Sequence, residues 1–590
     1  MWVSQTLSAK NRYNSRMKAN IVMRARVLCG LFIAIALLLI VRLYLVQVVH
    51  GASYKQEGTA QYIQTDPDTA GRGDIYFTTK DGTLVSAAVS QSGYSIAINS
   101  KLLANPSVVY AKLNAVTPIA ESSFMAIAGN PGSSFALIAS HLTDAQAAKI
   151  QKLNIPGVII SPDMWREYPG GVLAAQALGF LGYDGTSTTR VGEYGLERQY
   201  NSVLSQSSAG LYVNPFAEIF SNIENIITTD PHADQGSIVT SIEPTVQAHL
   251  ETVLNDVMQK YSTQFDGGIV MDPHTGEIYA IAGLPAYDPN NYGSADNQIY
   301  YQDRLVEGRY EMGSIMKPLT MAAGIDSGAV TLSSTYNDTG CITISNDKVC
   351  NFDFKARGVI PMQQILSQSL NVGASYVATK MGYPTFTTYM KSYGFGQKTG
   401  IDLPNEVSGN ISNLDDGQGP AVNFDTASFG QGITVSPIEM IRALAVLANQ
   451  GALPDPHVVT AIQYDSGITR TIPVTQGPQV IKPATADTVT NMLTTVFDNA
   501  LLKGIFKQAH YSFAAKTGTA QIPMPGGGYY PGSVYLHSFF GYFPAHDPRF
   551  IIFLFAWKPQ GQEYASATLA QPFMDIAQFL INYYNIPPDR

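Results

Sequence analysis

The sequence is poor in cysteine, histidine and charge, and each shortage excludes a class of protein. Three cysteines among 590 residues are too few for a small disulfide-held scaffold or a cluster-type metal protein. The nine histidines are scattered, and no His-Glu-x-x-His or paired Cys-x-x-Cys motif is present, so we expect neither a metal site nor a cofactor. Charged residues make up 14% and hydrophobic residues 45%, which excludes a disordered chain and fits a packed globular protein with a membrane segment.

Basic residues are concentrated at the N-terminus. Seven of the 36 lysines and arginines, and none of the 45 acidic residues, lie in residues 1–50, which leaves 29 basic against 45 acidic residues in the rest of the chain. A body this acidic lacks the broad basic surface that neutralises phosphates, so we do not expect nucleic acid as a partner.

Residues 27–49 predict a single membrane-spanning helix. These 23 largely apolar residues would span about 35 Å, which is enough to cross a bilayer. Six cations precede the segment, which places residues 1–26 in the cytoplasm and exports the rest. A cleaved signal peptide is the alternative, but no small-x-small cleavage pattern follows Val41 directly. We therefore expect a single-pass protein of the cell membrane with an extracytoplasmic body.

The length predicts two or three folded units. Residues 50–232 have a mixed pattern that ends in a polar, hinge-like stretch at 228–236. Residues 233–590 have strand patterns near both ends and a mostly helical middle, which predicts an α+β domain. In this domain we expect helices at 245–261, 362–380, 437–449, 484–499 and 573–584, and strands at 237–242, 267–272, 277–282, 512–515, 538–543 and 550–556.

Two of the three cysteines bracket a short hairpin pattern. Between Cys341 and Cys350, apolar residues alternate around a Ser345-Asn346 turn. A two-residue hairpin would place the cysteines opposite each other, and an oxidising compartment would then favour a disulfide. Two unpaired thiols are the alternative.

Three short motifs follow one another in residues 233–590. The first is Ser314-Ile315-Met316-Lys317, the second is Ser369-Leu370-Asn371, and the third is Lys516-Thr517-Gly518-Thr519. Each motif alone is weak, because Ser-x-x-Lys recurs at Ser15 and Ser345, and Lys-Thr-Gly recurs at Lys398. The ordered set is far more specific than its parts.

The residue types in the set suit acyl transfer. A serine hydroxyl is a poor nucleophile until a neighbouring base removes its proton, and positions i and i+3 of a helix place the Lys317 amine beside the Ser314 hydroxyl. Lysine acts as a base only if its pKa is depressed by burial or by nearby positive charge, which Lys516 could supply. Backbone N–H groups at Ser314 and on the strand of Thr519 could form an oxyanion hole, and Gly518 would allow close approach.

The three motifs resemble those of penicillin-recognising serine acyltransferases. The flanking sequence is similar to class B (monofunctional) penicillin-binding proteins, the peptidoglycan D,D-transpeptidases of cell division and elongation. Segments that carry this resemblance are Arg72-Gly73-Asp74-Ile75, Gly192-Glu193-Tyr194-Gly195-Leu196-Glu197, Met271-Asp272-Pro273, Phe429-Gly430-Gln431-Gly432 and Phe540-Gly541-Tyr542-Phe543-Pro544.

The resemblance implies an architecture. It adds to the membrane anchor an elongated, mixed α/β pedestal or dimerisation-like domain at 50–232. A transpeptidase domain would follow at 233–590, with an antiparallel sheet flanked by helices and an all-helical lobe.

The resemblance also implies partners. Peptidoglycan stem peptides on lipid-linked precursor strands would be substrates, and β-lactams would be covalent inhibitors. A multi-pass glycosyltransferase of the shape, elongation, division and sporulation type would be a partner.

The resemblance further implies residue roles. Ser314 would be acylated by the stem peptide with release of D-alanine, and Lys317 would be its base. Ser369 would relay protons, while Asn371 would hold Lys317 and the substrate amide. The remaining roles would be pocket lining by Lys516, Thr517 and Gly518, carboxylate binding by Thr519, and an oxyanion hole from the backbone N–H groups of Ser314 and Thr519.

The motif departs from the family pattern in two places. Met312 stands where the family commonly has proline, and Ile315-Met316 replace the usual Thr-Phe, which bears on pocket shape and β-lactam affinity but not on the chemistry. Two other functions stay open: a D,D-carboxypeptidase or β-lactamase-like hydrolase, and a non-catalytic β-lactam sensor or division scaffold. Only 26 residues precede the anchor, which disfavours a sensor.

Overall fold

The computed structural model describes residues 37–39, 42, 71–130, 132, 135–183, 190–205, 235–294, 298–344, 346–532 and 534–590. The predicted membrane segment, residues 27–49, lies outside the described residues apart from 37–39 and 42. Among the helices within the described ranges, none is both long enough and apolar enough to span a membrane. The described residues from 71 to 205 and from 235 to 590 belong to one compact unit, which contains every strand and helix named below.

The N-terminal part of this unit, residues 71–205, is a mixed α/β region. Its longest strand, β2, pairs with three neighbours, and a small core centred on Phe124 packs the three helices that follow against this sheet. The elements are β1 (Ile75–Thr78), β2 (Leu84–Ile98), α1 (Pro106–Asn114), α2 (Glu121–Ala128), β3 (Ala136–Leu142), α3 (Asp144–Lys152), β4 (Val158–Glu167), α4 (Ala175–Leu178), β5 (Leu181–Tyr183), β6 (Arg190–Gly192), α5 (Gly195–Gln199) and α6 (Asn201–Leu204).

The C-terminal part has strands near both ends, is mostly helical between them, and closes with a long helix. Its elements are β7 (Gly236–Thr240), α7 (Pro244–Tyr261), β8 (Phe265–Met271), β9 (Ile278–Leu284), α8 (Arg304–Glu307), α9 (Lys317–Asp326), β10 (Thr335–Asp338), β11 (Cys341–Ile344), β12 (Asp347–Cys350), β13 (Gly358–Pro361), α10 (Gln363–Ser367), α11 (Asn371–Met381), α12 (Tyr383–Ser392), α13 (Ala421–Ala427), α14 (Pro437–Ala448), β14 (Ala452–Pro454), β15 (Val459–Tyr464), β16 (Thr469–Thr471), β17 (Gln476–Gln479), α15 (Pro483–Thr495), β18 (Ala514–Gln521), β19 (Tyr535–Phe543), β20 (Phe550–Trp557) and α16 (Ala565–Tyr584).

A five-stranded antiparallel sheet with the order β18-β19-β20-β8-β9 is the centre of this part. Alternate residues of its strands belong to two different cores, as Phe553 and Leu554 of β20 illustrate. One core includes α7 and α16, and the other includes the middle helices such as α9 and α14. Because both faces are covered, β20 has a continuous apolar sequence rather than an alternating one. The predicted α+β class is confirmed.

The second sheet takes strands from both predicted domains. Its order is β16-β15-β7-β1-β2-β3, with β4 also paired to β2. β7 runs parallel to β1, with Ile238 opposite Ile75, and β15 pairs with the other edge of β7. Strands from both sides of the predicted domain boundary at residues 232 and 233 therefore belong to this one sheet: β1–β4 precede the boundary, and β7, β15 and β16 follow it.

Two helix predictions differ from the structure. The helix predicted at 573–584 begins at Ala565, with Pro572 in its interior. Thr568 and Leu569 are fully buried, so packing on the sheet outweighs the hydrogen bond that proline cannot make. The helix predicted at 362–380 is two helices, α10 and α11, and the interruption contains Ser369.

A buried ionic cluster joins three segments of the N-terminal part. Glu197 is inaccessible to solvent and bonds to Arg72 at 2.5 Å and Arg166 at 2.7 Å. Burial alone would raise the pKa of Glu197, but the two guanidinium groups lower it. Arg166 also donates to the Gly73 carbonyl at 2.9 Å. The cluster thus ties together two of the segments that carry the family resemblance, those at 72–75 and 192–197.

We predict that Glu197→Ala destabilises the fold by about 3–5 kcal/mol, because it leaves two buried guanidinium groups without their counter-ion. Urea unfolding of the full chain measures this difference. Asp256→Ala, on the exposed side of α7, is the control and should change the free energy of unfolding by no more than about 0.5 kcal/mol. Equal stabilities of the two variants would contradict a structural role for the cluster.

Candidate active site

The first motif lies where a short 3₁₀ turn, Gly313–Met316, leads directly into α9 at Lys317. In a 3₁₀ turn residues i and i+3 eclipse one another, and Lys317 Nζ accordingly lies 2.9 Å from Ser314 Oγ. Met312, Ile315 and Met316 are at most 1% exposed and belong to the main core. The bulkier side chains of this motif therefore fill the interior beneath the turn.

Strand β18 and a glycine loop hold this turn at close range. Gly313 has a φ of +64° and donates its N–H to the Gly430 carbonyl at 3.0 Å. A Cβ atom on Gly518 of β18 would lie 2.6 Å from the Met312 carbonyl oxygen, so only glycine allows the strand this near. Ser538 of β19 donates its hydroxyl to the same carbonyl at 2.9 Å.

The second motif lies in the interruption between α10 and α11. Ser369 has a φ of +55°, its N–H bonds to the Leu366 carbonyl, and the N–H of Leu370 bonds to the Ile365 carbonyl. This hydrogen-bond pattern is a Schellman motif, in which glycine usually occupies the left-handed position. Here a serine occupies that position, which strains the backbone.

Lys317 Nζ is surrounded by oxygens from both motifs. Besides Ser314 Oγ, it contacts the backbone carbonyl of Ser369, the Ser369 hydroxyl at 3.2 Å and Asn371 Oδ1 at 2.8 Å. The two carbonyl oxygens can only accept hydrogen bonds. If Lys317 is neutral, they take its two N–H groups, and its lone pair is left to accept from a serine hydroxyl. This is the arrangement that a general base requires.

The third motif brings a second buried amine. Lys516 Nζ lies 3.0 Å from Ser369 Oγ and 2.9 Å from the Thr517 carbonyl, so one hydroxyl joins the two lysines. Burial lowers the pKa of Lys516 to about 7. Burial also lowers the pKa of Lys317 well below its usual range, and the charge of Lys516 lowers it further. Both effects favour the neutral form of the Lys317 amine.

Asn371 is held from two sides. Its Oδ1 accepts from Lys317, and its Nδ2 donates to the backbone carbonyl of Cys350 at 2.9 Å. Cys350 ends β12, opposite Cys341 of β11, and a disulfide joins the two residues. The structure thus has the hairpin that the cysteine pattern predicts, and places it against the second motif.

Strand β18 forms an edge of the central sheet and carries the residues predicted to bind substrate. Thr517 and Thr519 share one face of the strand and are half-buried. Thr519 Oγ1 accepts from the N–H of Ala565 at 3.1 Å, which leaves the hydroxyl proton available for a ligand. The oxyanion hole from the N–H groups of Ser314 and Thr519 stays a prediction.

The structure brings the five predicted catalytic side chains together. Both amines are at most 3% exposed, whereas Ser314, Ser369 and Asn371 are half-buried and reachable from solvent. The repeated Lys-Thr-Gly motif is elsewhere: Lys398 is exposed. Within the ranges that the structure describes, no group of three His, Cys, Asp or Glu side chains could hold a metal ion.

Sequence reasoning missed three supporting residues. Ser538 and Gly430 support the Ser314 turn, and Asn351 accepts the N–H of Val372 in the first turn of α11 at 3.1 Å. The family-like segment at 429–432 was a signal for Gly430. Neither Ser538, inside a predicted strand, nor Asn351, beside a cysteine, carried a local pattern of this kind.

Comparison with known proteins gives concordant results. The family model described as penicillin-binding protein transpeptidase domain matches residues 267–578, and the one described as penicillin-binding protein dimerisation domain matches residues 67–215. Stage V sporulation protein D of Bacillus subtilis is 26% identical over 94% of this chain and 85% of its own. The peptidoglycan D,D-transpeptidase FtsI of Escherichia coli is 26% identical over 96% of this chain and 92% of its own.

A solved structure has a similar fold. The crystal structure of penicillin-binding protein 2X from Streptococcus thermophilus has a TM-score of 0.70 and 24% identity, with 88% of this chain and 80% of that chain covered. At this level of identity the likeness concerns the fold alone.

The strain at Ser369 generates a prediction. Ser369→Gly and Ser369→Ala both remove the hydroxyl, but only alanine keeps a Cβ atom at a positive φ. The glycine variant should therefore be more stable than the alanine variant by about 1 kcal/mol, measured by urea unfolding. The same pair at Ser367, the last residue of α10, should show the opposite order, and alanine being the more stable at both positions would contradict the strain.

Proposed function

The chain belongs to the penicillin-binding protein transpeptidase family, and from this premise we propose that it is a peptidoglycan D,D-transpeptidase that cross-links stem peptides through an acyl-enzyme on Ser314. One observation carries the proposal: Lys317 Nζ lies 2.9 Å from Ser314 Oγ while Ser369 joins it to Lys516. A nucleophile, a desolvated base and a second buried amine therefore meet at one point that substrate can reach.

Acylation would proceed from the neutral Lys317 amine. Its lone pair takes the Ser314 proton as Oγ attacks the carbonyl carbon of the penultimate D-alanine. The tetrahedral intermediate then collapses, and the C–N bond to the terminal D-alanine breaks. The departing nitrogen takes a proton from the Lys317 ammonium, for which the Ser369 hydroxyl is a relay. The products are a Ser314 ester and free D-alanine.

Transfer to the second strand reverses these steps with a different amine. The acceptor amine attacks the ester carbonyl and gives up a proton to Lys317. Ser314 leaves as an alkoxide and regains its proton from the same lysine. One C–O bond is replaced by one C–N bond, and the enzyme returns to its starting state.

Residues around the reacting atoms would orient the substrate. We assign the terminal carboxylate to the Thr519 hydroxyl and to the charge of Lys516, and the substrate amide to Asn371. The oxyanion would lie between the backbone N–H groups of Ser314 and Thr519. This assignment is supported by the position of β18, whose open edge lies beside the Ser314 turn. β-Lactams, which carry a strained amide and a carboxylate, would occupy the same places and acylate Ser314.

We also propose the cellular setting. Residues 27–49 would anchor the protein in the cell membrane, with residues 1–26 cytoplasmic and the rest outside, and the family resemblance points to a multi-pass glycosyltransferase partner. The apolar length of the segment and the six cations before it support the topology. The disulfide supports an oxidising compartment.

We predict that a fluorescent penicillin labels the wild-type chain covalently and that Ser314→Ala lowers the labelling rate by at least about 10³-fold, because it removes the nucleophilic hydroxyl that lies 2.9 Å from Lys317 Nζ. Labelling is measured by in-gel fluorescence and located by peptide mass spectrometry. Ser15→Ala, in another Ser-x-x-Lys sequence, is the control and should label like wild type. Stoichiometric labelling of the Ser314 variant would overturn the assignment.

A stem pentapeptide with a D-amino acid as acceptor distinguishes transfer from hydrolysis. Transfer yields the exchanged peptide with release of D-alanine, both detected by mass spectrometry. Free tetrapeptide as the main product at saturating acceptor would instead indicate a carboxypeptidase.

The charge of Lys516 generates a prediction on pH dependence. Acylation is lost as pH falls through the pKa of Lys317, because only the neutral amine is a base. Lys516→Met removes a neighbouring positive charge, so the pKa of Lys317 rises, and the acid limb of the acylation rate should move to higher pH by about one unit. The rate at the optimum should fall by about 10²-fold or more. Stopped-flow acylation at a series of pH values measures both effects.

Lys398→Met, in the exposed copy of the motif, is the matched control and should leave the rate and its pH profile unchanged. An acid limb that stays in place or moves to lower pH in Lys516→Met would show that the two amines are not coupled.

A further inference from the structure

We infer that the disulfide-closed hairpin β11–β12 holds Asn371 in its reactive orientation, so that Cys350 and Asn351 are positioning residues for acyl transfer. The inference rests on the proposed function, since it assigns a role to residues around Asn371 in that reaction. It concerns a segment outside the three motifs, and it gives the two exported cysteines a task at the reaction centre.

The first step concerns the direction of the Asn371 amide. A carboxamide has a donor end and an acceptor end of nearly the same shape, so its direction depends on its partners. The Cys350 carbonyl can only accept, and it binds Asn371 Nδ2 at 2.9 Å. This contact turns Oδ1 toward Lys317 Nζ, which it meets at 2.8 Å. Without that carbonyl, a rotation by half a turn would face the amine of Lys317 with another N–H group.

The second step concerns the backbone that carries Asn371. α11 begins at Asn371, and Leu370 before it has no side chain that could cap the helix. Asn351 supplies the missing acceptor: its Oδ1 binds the N–H of Val372 at 3.1 Å. Asn351 is itself fixed, because it is 1% exposed and its Nδ2 donates to the buried carboxylate of Asp338 at 2.9 Å.

The third step explains why the disulfide matters for these contacts. β11 and β12 have four residues each and pair only with each other among the described strands. A two-stranded hairpin of this length is marginal in water, and only Val349 among its described residues is buried. The cross-link closes the hairpin at the end from which Cys350 and Asn351 reach Asn371. It therefore restrains the two groups on which the amide depends.

The test compares oxidised and phosphine-reduced full-length protein in the acylation of Ser314 by a fluorescent penicillin. Because displacement of a positioned group by about 1 Å costs up to about 10²-fold in rate, reduction should lower the second-order rate constant by about 10-fold to 100-fold. Alkylation and mass spectrometry verify that the 341–350 bond is open. Cys341→Ser/Cys350→Ser should react slowly both with and without the reductant, whereas Thr343→Ala, which keeps the cross-link, should react like oxidised wild type.

A double-mutant cycle separates positioning from general stability. In an Asn371→Ala background, reduction should change the rate by less than about twofold, because the group that the hairpin positions is gone. Asn351→Ala, with the disulfide intact, should slow acylation in the wild-type background and not in the Asn371→Ala background. Thermal unfolding of every sample establishes that it is folded at the assay temperature.

The outcomes are distinguishable. An acylation rate that does not change on reduction of the disulfide would overturn the inference and leave the proposed function intact. An acylation rate that falls equally with and without the Asn371 side chain would do the same. Absence of labelling in the oxidised wild type would overturn the proposed function, and the inference with it. Loss of rate in the reduced protein and in Asn351→Ala, both dependent on Asn371, would establish the positioning role.

Discussion

The site depends on two lysine amines that are kept out of water on either side of one hydroxyl. Lys317 and Lys516 are both almost completely buried, and taking a charged amine out of water is costly unless it loses its proton or finds partners. Lys317 relieves the cost by a depressed pKa and by oxygen contacts from three residues, Ser314, Ser369 and Asn371. Desolvation of the Lys317 amine opposes folding, but it also lowers the pKa of the amine. A side chain that is usually protonated can therefore act as a base. The acyl-transfer chemistry therefore depends on burial of the two lysine amines, and this burial requires the packing of the whole domain.

Backbone geometry brings the amines this close. The edge strand β18 can lie against the Ser314 turn because Gly518 has no side chain, and the turn can take a positive φ because residue 313 is also a glycine. Residue 369 is different. Its backbone is in the left-handed region, which glycine adopts more easily, but the residue is a serine. The Ser369 hydroxyl is the one that joins both amines. At residues 313 and 518 the chain only has to come close to its neighbours, and glycine allows this without strain. At residue 369 a hydroxyl is needed, and a serine occupies the strained left-handed position.

The sequence predicted those parts of the site that depend on residue identity, and it missed those that depend on tertiary contact. The three motifs, four of the five central strands, α7 and the cysteine hairpin each carry a local pattern, so they could be read directly, whereas the strand predicted at 512–515 is β18, Ala514–Gln521. The interruption at Ser369 could not be predicted, because residues 362–380 have the composition of one continuous helix. No sequence pattern indicates that a serine will adopt the left-handed conformation. The shared second sheet could not be predicted either, since the pairing of Ile75 with Ile238 joins strands that are far apart in the chain.

The positions of Ser369 and Asn371 in the second motif are thus fixed by two separate sets of contacts. The Schellman turn fixes Ser369 from within the chain, and the hairpin approaches Asn371 from outside it. These two residues flank Leu370, which is fully buried, so a shift of either would move the other. Disulfides form in oxidising compartments rather than in the cytoplasm, which agrees with the proposed export of the body. From the inferred role of the hairpin it follows that the proton-transfer group is complete only once the cysteines have been oxidised, which would tie the assembly of the site to an oxidising compartment.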